Sequence, residues 1–297
     1  MSQDEMKNLV FIHRENVGKL GAAITDASSN TLTDLLAAEG ARARGGGERG
    51  NTDALPSNAT GALHGQMHRD CAVVASGGTL QGAGLGKQID EHEIVVRINQ
   101  APTWRSRRIV GSRTTHRLIN NLWTQNYAKA DLSKAISDIS NSSTPVESNL
   151  TIYITRPNAK DYLKLIHHRK QFRPDVDIRL VSSRVVSIVR DRLLSPYRKK
   201  LEEENVDELT AALLEGRDTP SSGLVAVFLM IQLCGKVTAY GFSGINDGAR
   251  YHYWKGNRQY QNRTHSFSVE RALLRRLAQE KFITFVDGNI DNIKSFV

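Results

Sequence analysis

Short apolar runs, each closed by Gly, Ser or Asn, punctuate the chain. Cys71 to Ala75 runs into Ser76-Gly77-Gly78, Ile94 to Ile98 stops at Asn99, and His116 to Ile119 stops at Asn120. Continuous apolar runs bounded by turn residues mark strands buried on both faces of a parallel sheet. Residues 150–155 (LTIYIT) alternate and are β-branched, which predicts a further strand, and 177–182 another. Between them, 159–171 reads as an amphipathic helix. Residues 184–204 read as a charged helix with Val185, Val186, Ile188, Val189, Leu193 and Leu194 on its inner side. Residues 224–234 are apolar all round, which predicts a buried helix capped by Ser221 or Ser222 and stopped by Gly235. A last helix follows Ser266, a candidate cap. Strands alternating with helices predict an α/β fold, Rossmann-like, with a mostly parallel sheet flanked by helices. The polar stretch from Leu122 to Asn149 predicts no element. Residues 1–65, rich in Gly, Arg and small polar residues, predict a flexible stem-like segment, so the folded domain is 66–297.

Three of these strands deliver Ser76, Asn99 and Asn120 at their carboxyl ends, where ligands of open α/β sheets bind. Ser and Asn also simply end strands. Three together, beside a glycine loop, favour a ligand. That loop is neither of the familiar phosphate motifs. A P-loop needs Gly at 81 and Ser or Thr at 88, and both are Gln; the dinucleotide fingerprint lacks a Gly three places after Gly84. What remains is backbone able to approach a ligand closely. Ser221, Ser222 and Gly223 open the apolar helix, whose N-terminal N–H groups suit a phosphate or carboxylate. Capping accounts for one serine but not for two.

Composition narrows the choice of partner. The net charge is +9, from 40 basic and 31 acidic residues, and 39% of residues are hydrophobic, enough for one core. No basic run is interleaved with aromatics, so the charge suits an anionic small substrate or an anionic membrane better than nucleic acid. Residues 224–234, interrupted by Gln232, are too short to span a bilayer, and neither a membrane span nor a signal peptide is visible. Asp175 and Asp177 form a D-x-D that either holds a divalent cation or is a solvated strand entrance; its place between Pro174 and a strand favours the entrance. Tyr251 to Trp254 form an aromatic cluster, ordinarily a core feature. His265 precedes a helix N-terminus, whose positive end disfavours imidazolium, so a neutral imidazole there can accept a proton.

Four stretches resemble a known family. CAVVASGGTL, GKQIDEHEIVVRINQAPT and VGSRTTHRLIN resemble the large sialylmotif of the eukaryotic sialyltransferases; PSSGLVAVFLMIQLCGKVTAYGF resembles the small one; His252-Tyr253-Trp254 resembles the third, and His265 with Glu270 the H-x-x-x-x-E of the very small motif. The chain is identified as a member of glycosyltransferase family 29. Ser76 is similar to the β-galactoside α2,6 branch, whereas HYW is more like α2,3 members.

The resemblance implies a GT-A-like catalytic domain that moves sialic acid from CMP-sialic acid to a galactose-terminated glycan with inversion. It implies His265 as base, His252 facing the leaving phosphate, and Ser76, Asn99 and Asn120 holding the nucleotide and donor. Ser221, Ser222 and Gly223 would lie by the donor carboxylate. It implies neither a metal nor a cofactor, because CMP carries a single phosphate. The implied linkage is α2,6; α2,3 or α2,8 transfer, or an inactive nucleotide- or glycan-binding member, are the alternatives. Cys71 and Cys234 are either buried free thiols or, as the resemblance implies, a disulfide adding about 5 kcal/mol in a chain-entropy model. Family members are Golgi luminal and membrane-anchored through an N-terminal span that this sequence does not display. In that compartment Asn58, Asn141, Asn149 and Asn262, each heading an N-x-S/T, become glycosylation candidates.

Overall fold

A computed structural model describes residues 68–130, 144–204, 214–243, 250–255 and 264–286. The expected flexible segment 1–65 and the sequons at Asn58, Asn141 and Asn262 lie outside these residues. In chain order the elements are β1 (His68–Val74), α1 (Gly86–Asp90), β2 (Ile94–Ile98), α2 (Arg107–Val110), β3 (His116–Ile119), α3 (Asn121–Lys129), β4 (Thr151–Thr155), α4 (Ala159–Phe172), β5 (Asp177–Val181), α5 (Ser183–Ile188), α6 (Ser195–Glu204), α7 (Ser222–Leu233), β6 (Cys234–Tyr240), α8 (Phe267–Gln279) and β7 (Thr284–Val286). A π turn, Val189–Leu194, joins α5 to α6. The strands form one seven-stranded sheet in the order β5-β4-β3-β2-β1-β6-β7. The described residues divide into two compact units, 68–116 with 186–286, and 117–185.

In the first unit β1 pairs in parallel with β2 on one side and β6 on the other, so Cys71 faces both Ile94 and Val237. Such a strand has no solvated face, and Cys71 to Val74 are wholly buried. The order of strands reverses across β1 and β6, the topological switch point at which open α/β sheets bind ligands. β6 itself is unexpected. Gly235 predicts a helix stop, yet α7 ends at Leu233 and the strand begins at the next residue. Pairing with β1 overrides the local glycine signal. It also explains why β1 starts at His68, which is opposite Cys234. A disulfide joins Cys71 to Cys234, with S–S 2.00 Å, and so ties β1 to β6 across 163 residues of sequence. Helix α7 is buried along most of its length, as its all-round apolar sequence requires. It packs over β1, β2 and β6.

The second unit holds β3, β4 and β5 with α3 and α4. β4 and β5 pair in parallel from Thr151↔Asp177 to Thr155↔Val181. Ile119, Tyr127, Ile152, Ile154, Tyr162, Leu165 and Leu180 form its core. Helix α3 lies in the stretch whose polarity predicts no element. The Asn120 side chain caps it by accepting the Trp123 N–H at 3.1 Å, and Thr124, Tyr127 and Ala128 supply a buried face.

Candidate active site

The site is built at the carboxyl ends of β1 and β6. The turn after β1 is stitched to the turn after β6: Ala75 N donates to Tyr240 O and Gly77 N to Gly241 O, both at 2.9 Å. Gly77 cannot carry a side chain, because a Cβ there would lie 2.4 Å from Gly241 O; at Gly78 it would lie 2.1 Å from Arg250 O. At Gly77 and Gly78 the close approach is therefore made to the protein's own backbone, whereas Gly82 and Gly84 have open space beside them. The Ser76 carbonyl accepts the Tyr253 N–H at 3.1 Å, and Gly78 N donates to Arg250 O at 2.9 Å. These bonds fold the 250–255 segment against β1's turn and bring His252 beside Ser76. Asn99 follows β2 directly with φ 52°, a left-handed backbone that asparagine tolerates. Asn120 sits at the corresponding end of β3 in the other unit, where its side chain caps α3.

The amino end of α7 lies on the β6 side. A Cβ at Gly223 would come within 2.8 Å of the Phe242 ring, so this glycine has a packing reason for its presence. Ser221 is the N-cap, its hydroxyl accepting the Leu224 N–H at 3.2 Å. The same hydroxyl donates to Glu270 Oε2 at 2.5 Å, and the Ser221 N–H donates to Glu270 Oε1 at 2.7 Å. The Ser221 side chain is thus engaged within the protein, and Ser222 occupies the first helical position. Glu270 is only 2% exposed, and burial pushes its carboxyl up to about 7, the two bonds from Ser221 opposing.

His265 is half-buried, and its Nδ1 lies 2.7 Å from the Thr219 carbonyl. A carbonyl only accepts, so Nδ1 carries a proton and, in the neutral ring, Nε2 carries the lone pair. The base-type tautomer is thereby set by backbone. The 214–218 segment leading to Thr219 is clamped by Arg198 of α6. Its guanidinium donates to the carbonyls of Leu214 and Gly216, to Asp218 Oδ1 at 2.9 Å, and to Ser266 Oγ at 2.9 Å. Ser266 stands at the start of α8, but its hydroxyl donates to Arg217 O at 2.8 Å rather than capping the helix. The expected cap is therefore replaced by a brace beside His265. Sequence reasoning missed Arg198, one cation in a charged helix, and left Glu270 without a physical role.

A continuous aromatic path joins the two histidines. His252 lies 4.4 Å from Tyr251, Tyr251 lies 6.1 Å from Phe267, and Phe267 lies 5.6 Å from His265, ring centre to ring centre. On its other side His252 stacks on Trp254 at 4.3 Å. Burial and the neighbouring Lys255 push the His252 imidazole down to about 4, against a hydrogen bond to the Ser76 backbone. Its Nδ1 is buried and has no partner among the described residues. The unit thus brings together Ser76, Asn99, Ser221, Ser222, Gly223, His252 and His265 around the ends of β1, β2 and β6. Such an arrangement offers a proton acceptor, a second imidazole and a helix amino end, a set suited to displacing an anionic leaving group with an activated hydroxyl.

The D-x-D is elsewhere. Asp175 forms a two-pronged pair with Arg173, both contacts at 2.8 Å, and Asp177, the first residue of β5, pairs with Arg179 at 2.5 Å. The hydrogen bonds from Arg173 hold the Asp175 carboxyl down to about 2. Among the described residues no group of three His, Cys, Asp or Glu is placed to hold a metal ion.

Residues 51–282 match the family described as glycosyltransferase family 29 (sialyltransferase). The chain is 27% identical over 178 residues to the bovine β-galactoside α-2,6-sialyltransferase 2, covering 59% of this chain and 33% of that protein. It is 26% identical over 228 residues to the mouse CMP-N-acetylneuraminate-β-galactosamide-α-2,3-sialyltransferase 2, covering 75% and 58%. The chain therefore spans about a third to somewhat over half of these curated relatives. A crystal structure of a mammalian sialyltransferase superposes with a TM-score of 0.59 at 20% identity, covering 94% of this chain and 90% of that one, which shows the shared fold. The same is true of one solved in complex with Gal-beta-1-3GalNAc-ortho-nitrophenol, at a TM-score of 0.57.

Proposed function

Since the chain belongs to glycosyltransferase family 29 (sialyltransferase), we propose that it transfers sialic acid from CMP-sialic acid to a galactoside hydroxyl of a glycan. The observation that carries this reading is the His265 tautomer: Nδ1–H on the Thr219 carbonyl leaves Nε2 as the proton acceptor. In the reaction Nε2 takes the proton of the acceptor hydroxyl as its oxygen attacks the anomeric carbon. The bond from that carbon to the CMP phosphate oxygen breaks, its electron pair leaves with CMP, and the anomeric configuration inverts. His252, neutral in the free protein, gains a reason to hold a proton once a phosphate arrives beside it, and so stabilises the departing negative charge. Ser76 and Asn99 are the residues we assign to the nucleotide and donor, and Ser222 and Gly223 at the α7 amino end to the donor carboxylate; Asn120 belongs to the other unit, where its side chain caps α3. No metal or other cofactor takes part in this scheme.

Ser76 and the bovine relative favour α2,6 linkage; the HYW triplet and the mouse relative favour α2,3. The family's Golgi setting and glycan acceptors are part of the same proposal. The exposed Asn149, heading its sequon, is a glycosylation candidate there. No described helix is long and apolar enough to cross a membrane. The test is incubation with CMP-sialic acid and a panel of galactosides, followed by linkage analysis of the product. Sialylated product made at a rate proportional to enzyme supports the reading; CMP binding without transfer to any galactoside would leave an inactive binding member of the fold.

A further inference from the structure

Between β2 and the end of α2 the chain reads Ala101-Pro-Thr-Trp-Arg-Ser-Arg-Arg-Ile-Val110. Its backbone is held from both sides. The Tyr253 hydroxyl donates to Pro102 O at 2.6 Å, and Ser106 N donates to Thr103 O at 3.0 Å. Ile109 and Val110 close a turn on Ser106 O, Val110 is wholly buried, and the guanidinium of buried Arg97 donates to Val110 O at 2.7 Å. On this fixed backbone Trp104, Arg105, Arg107 and Arg108 are all exposed, Trp104 by 42%. Among the described residues none of these three guanidiniums has an ion pair or hydrogen-bonded partner. Arg105 also holds a left-handed φ of 58°, which costs energy in a residue other than Gly or Asn. Three like charges within four residues repel one another and do nothing evident for the fold.

The segment's position supplies the use. It follows the carboxyl end of β2, two residues after Asn99, and the Tyr253–Pro102 bond ties it to the turn that carries His252. We propose that Trp104, Arg105, Arg107 and Arg108 form an acceptor subsite for a galactoside that carries a second, negatively charged group, a sulfate or a carboxylate. The indole offers an apolar face to the non-polar face of a sugar ring. The guanidiniums offer planar forks that match the oxygens of a carboxylate or sulfate. Because the backbone is already fixed, little ordering is lost on binding. This inference rests on the sialyltransferase reading for the identity of the galactoside.

The test compares neutral lactose with its sulfated derivative, by calorimetric binding and by initial rates with CMP-sialic acid. The wild-type chain should favour the sulfated sugar by about tenfold or more, the worth of one charge-assisted hydrogen bond. That preference should shrink as salt rises. Combined Arg105→Glu, Arg107→Glu and Arg108→Glu should abolish it, and Trp104→Ala should weaken binding of both sugars alike. Transfer to lactose with no preference for the sulfated sugar would overturn the subsite and leave the sialyltransferase reading standing. A binding preference lost in the triple variant, with no transfer to either sugar, would do the reverse. If the arginines matter only for adsorption to vesicles containing an anionic lipid, and not for either sugar, the patch faces a membrane and the subsite is refuted.

Discussion

Glu270 and Asp175 are both carboxylates held by close donors, and they end in opposite states. Asp175 sits at a partly exposed strand entrance against a guanidinium that is itself 1% exposed, and its carboxyl is held down to about 2. Glu270 is buried against an uncharged partner, Ser221, and its carboxyl is pushed up to about 7. A cation settles a carboxylate permanently in its charged form; neutral donors inside a dry site leave it near its switching point. The first corner is finished chemistry. The second lies in the unit that also holds His265, and there groups near their switching points are useful.

The comparison is broken most severely at His265, the proposed base. His265→Ala should lower kcat by about 10²–10⁴-fold while CMP binding survives, because a proton-transfer term is lost only in the transition state. His252→Ala should also be slow, but it should recover partly with a donor bearing a better leaving group, which His265→Ala should not. Near-normal turnover in the His265 variant, with an inactive His252 variant, would reverse the two roles.

A smaller break targets the clamp. Arg198 touches neither histidine, yet it holds the 214–218 segment and Ser266 on either side of the Thr219–His265 bond. Arg198→Ala should cost about ten- to a hundredfold in kcat by misplacing Nε2, with CMP affinity kept, since Ser76 and Asn99 are anchored independently. Arg198→Lys should rescue little, because an ammonium cannot reproduce the spread of a guanidinium's donors. A loss confined to thermal stability, with kcat intact, would make Arg198 merely structural.

Glu270 sharpens the contrast through pH. Its folded value, about 7, lies above its ordinary 4.5, so the folded protein holds a proton that the unfolded chain releases between these pH values. Stability from this group is fully present below about 4.5 and is lost as pH rises through about 7, by a few kcal/mol at most. Glu270→Gln keeps the shape and can satisfy both Ser221 groups without charge. The difference in Tm between variant and wild type should therefore move in the variant's favour from pH 5 to pH 8. No such trend would mean that Glu270 is not held near neutrality.

Legibility followed the same divide between local and distant causes. β2 and β3 coincide with their predicted limits because each run ends at an asparagine, Asn99 or Asn120. The caps at Asn120 and Ser221 are local as well, although the α3 helix that Asn120 starts has too polar a sequence to stand out. β6 was hidden because a glycine's local meaning yielded to pairing with β1, a strand over 160 residues away. Glu270 was recognisable as part of a motif, but its partner Ser221 lies 49 residues earlier, and no spacing rule connects them. Arg198 resembles its charged neighbours in sequence and differs from them only in what the fold places around it.

The smallest expected effect belongs to the D-x-D. Asp175 and Asp177 sit at the amino end of β5, whereas the candidate site is built on carboxyl ends. Drawing Asp175 onto a cation would strip buried Arg173 of its counter-charge, and an unpaired buried guanidinium is costly. Transfer activity should therefore be unchanged by EDTA, and Asp177→Asn should leave kcat unaltered while costing roughly 1 kcal/mol of stability, the scale of a partly exposed ion pair. Asp175→Asn should be worse for stability, because Arg173 is the more deeply buried partner, and equally silent in kcat. Activity lost on chelation and restored by manganese would place a metal in the reaction; if Asp175→Asn or Asp177→Asn then abolished the manganese response, the contrast between the two carboxylate corners would collapse.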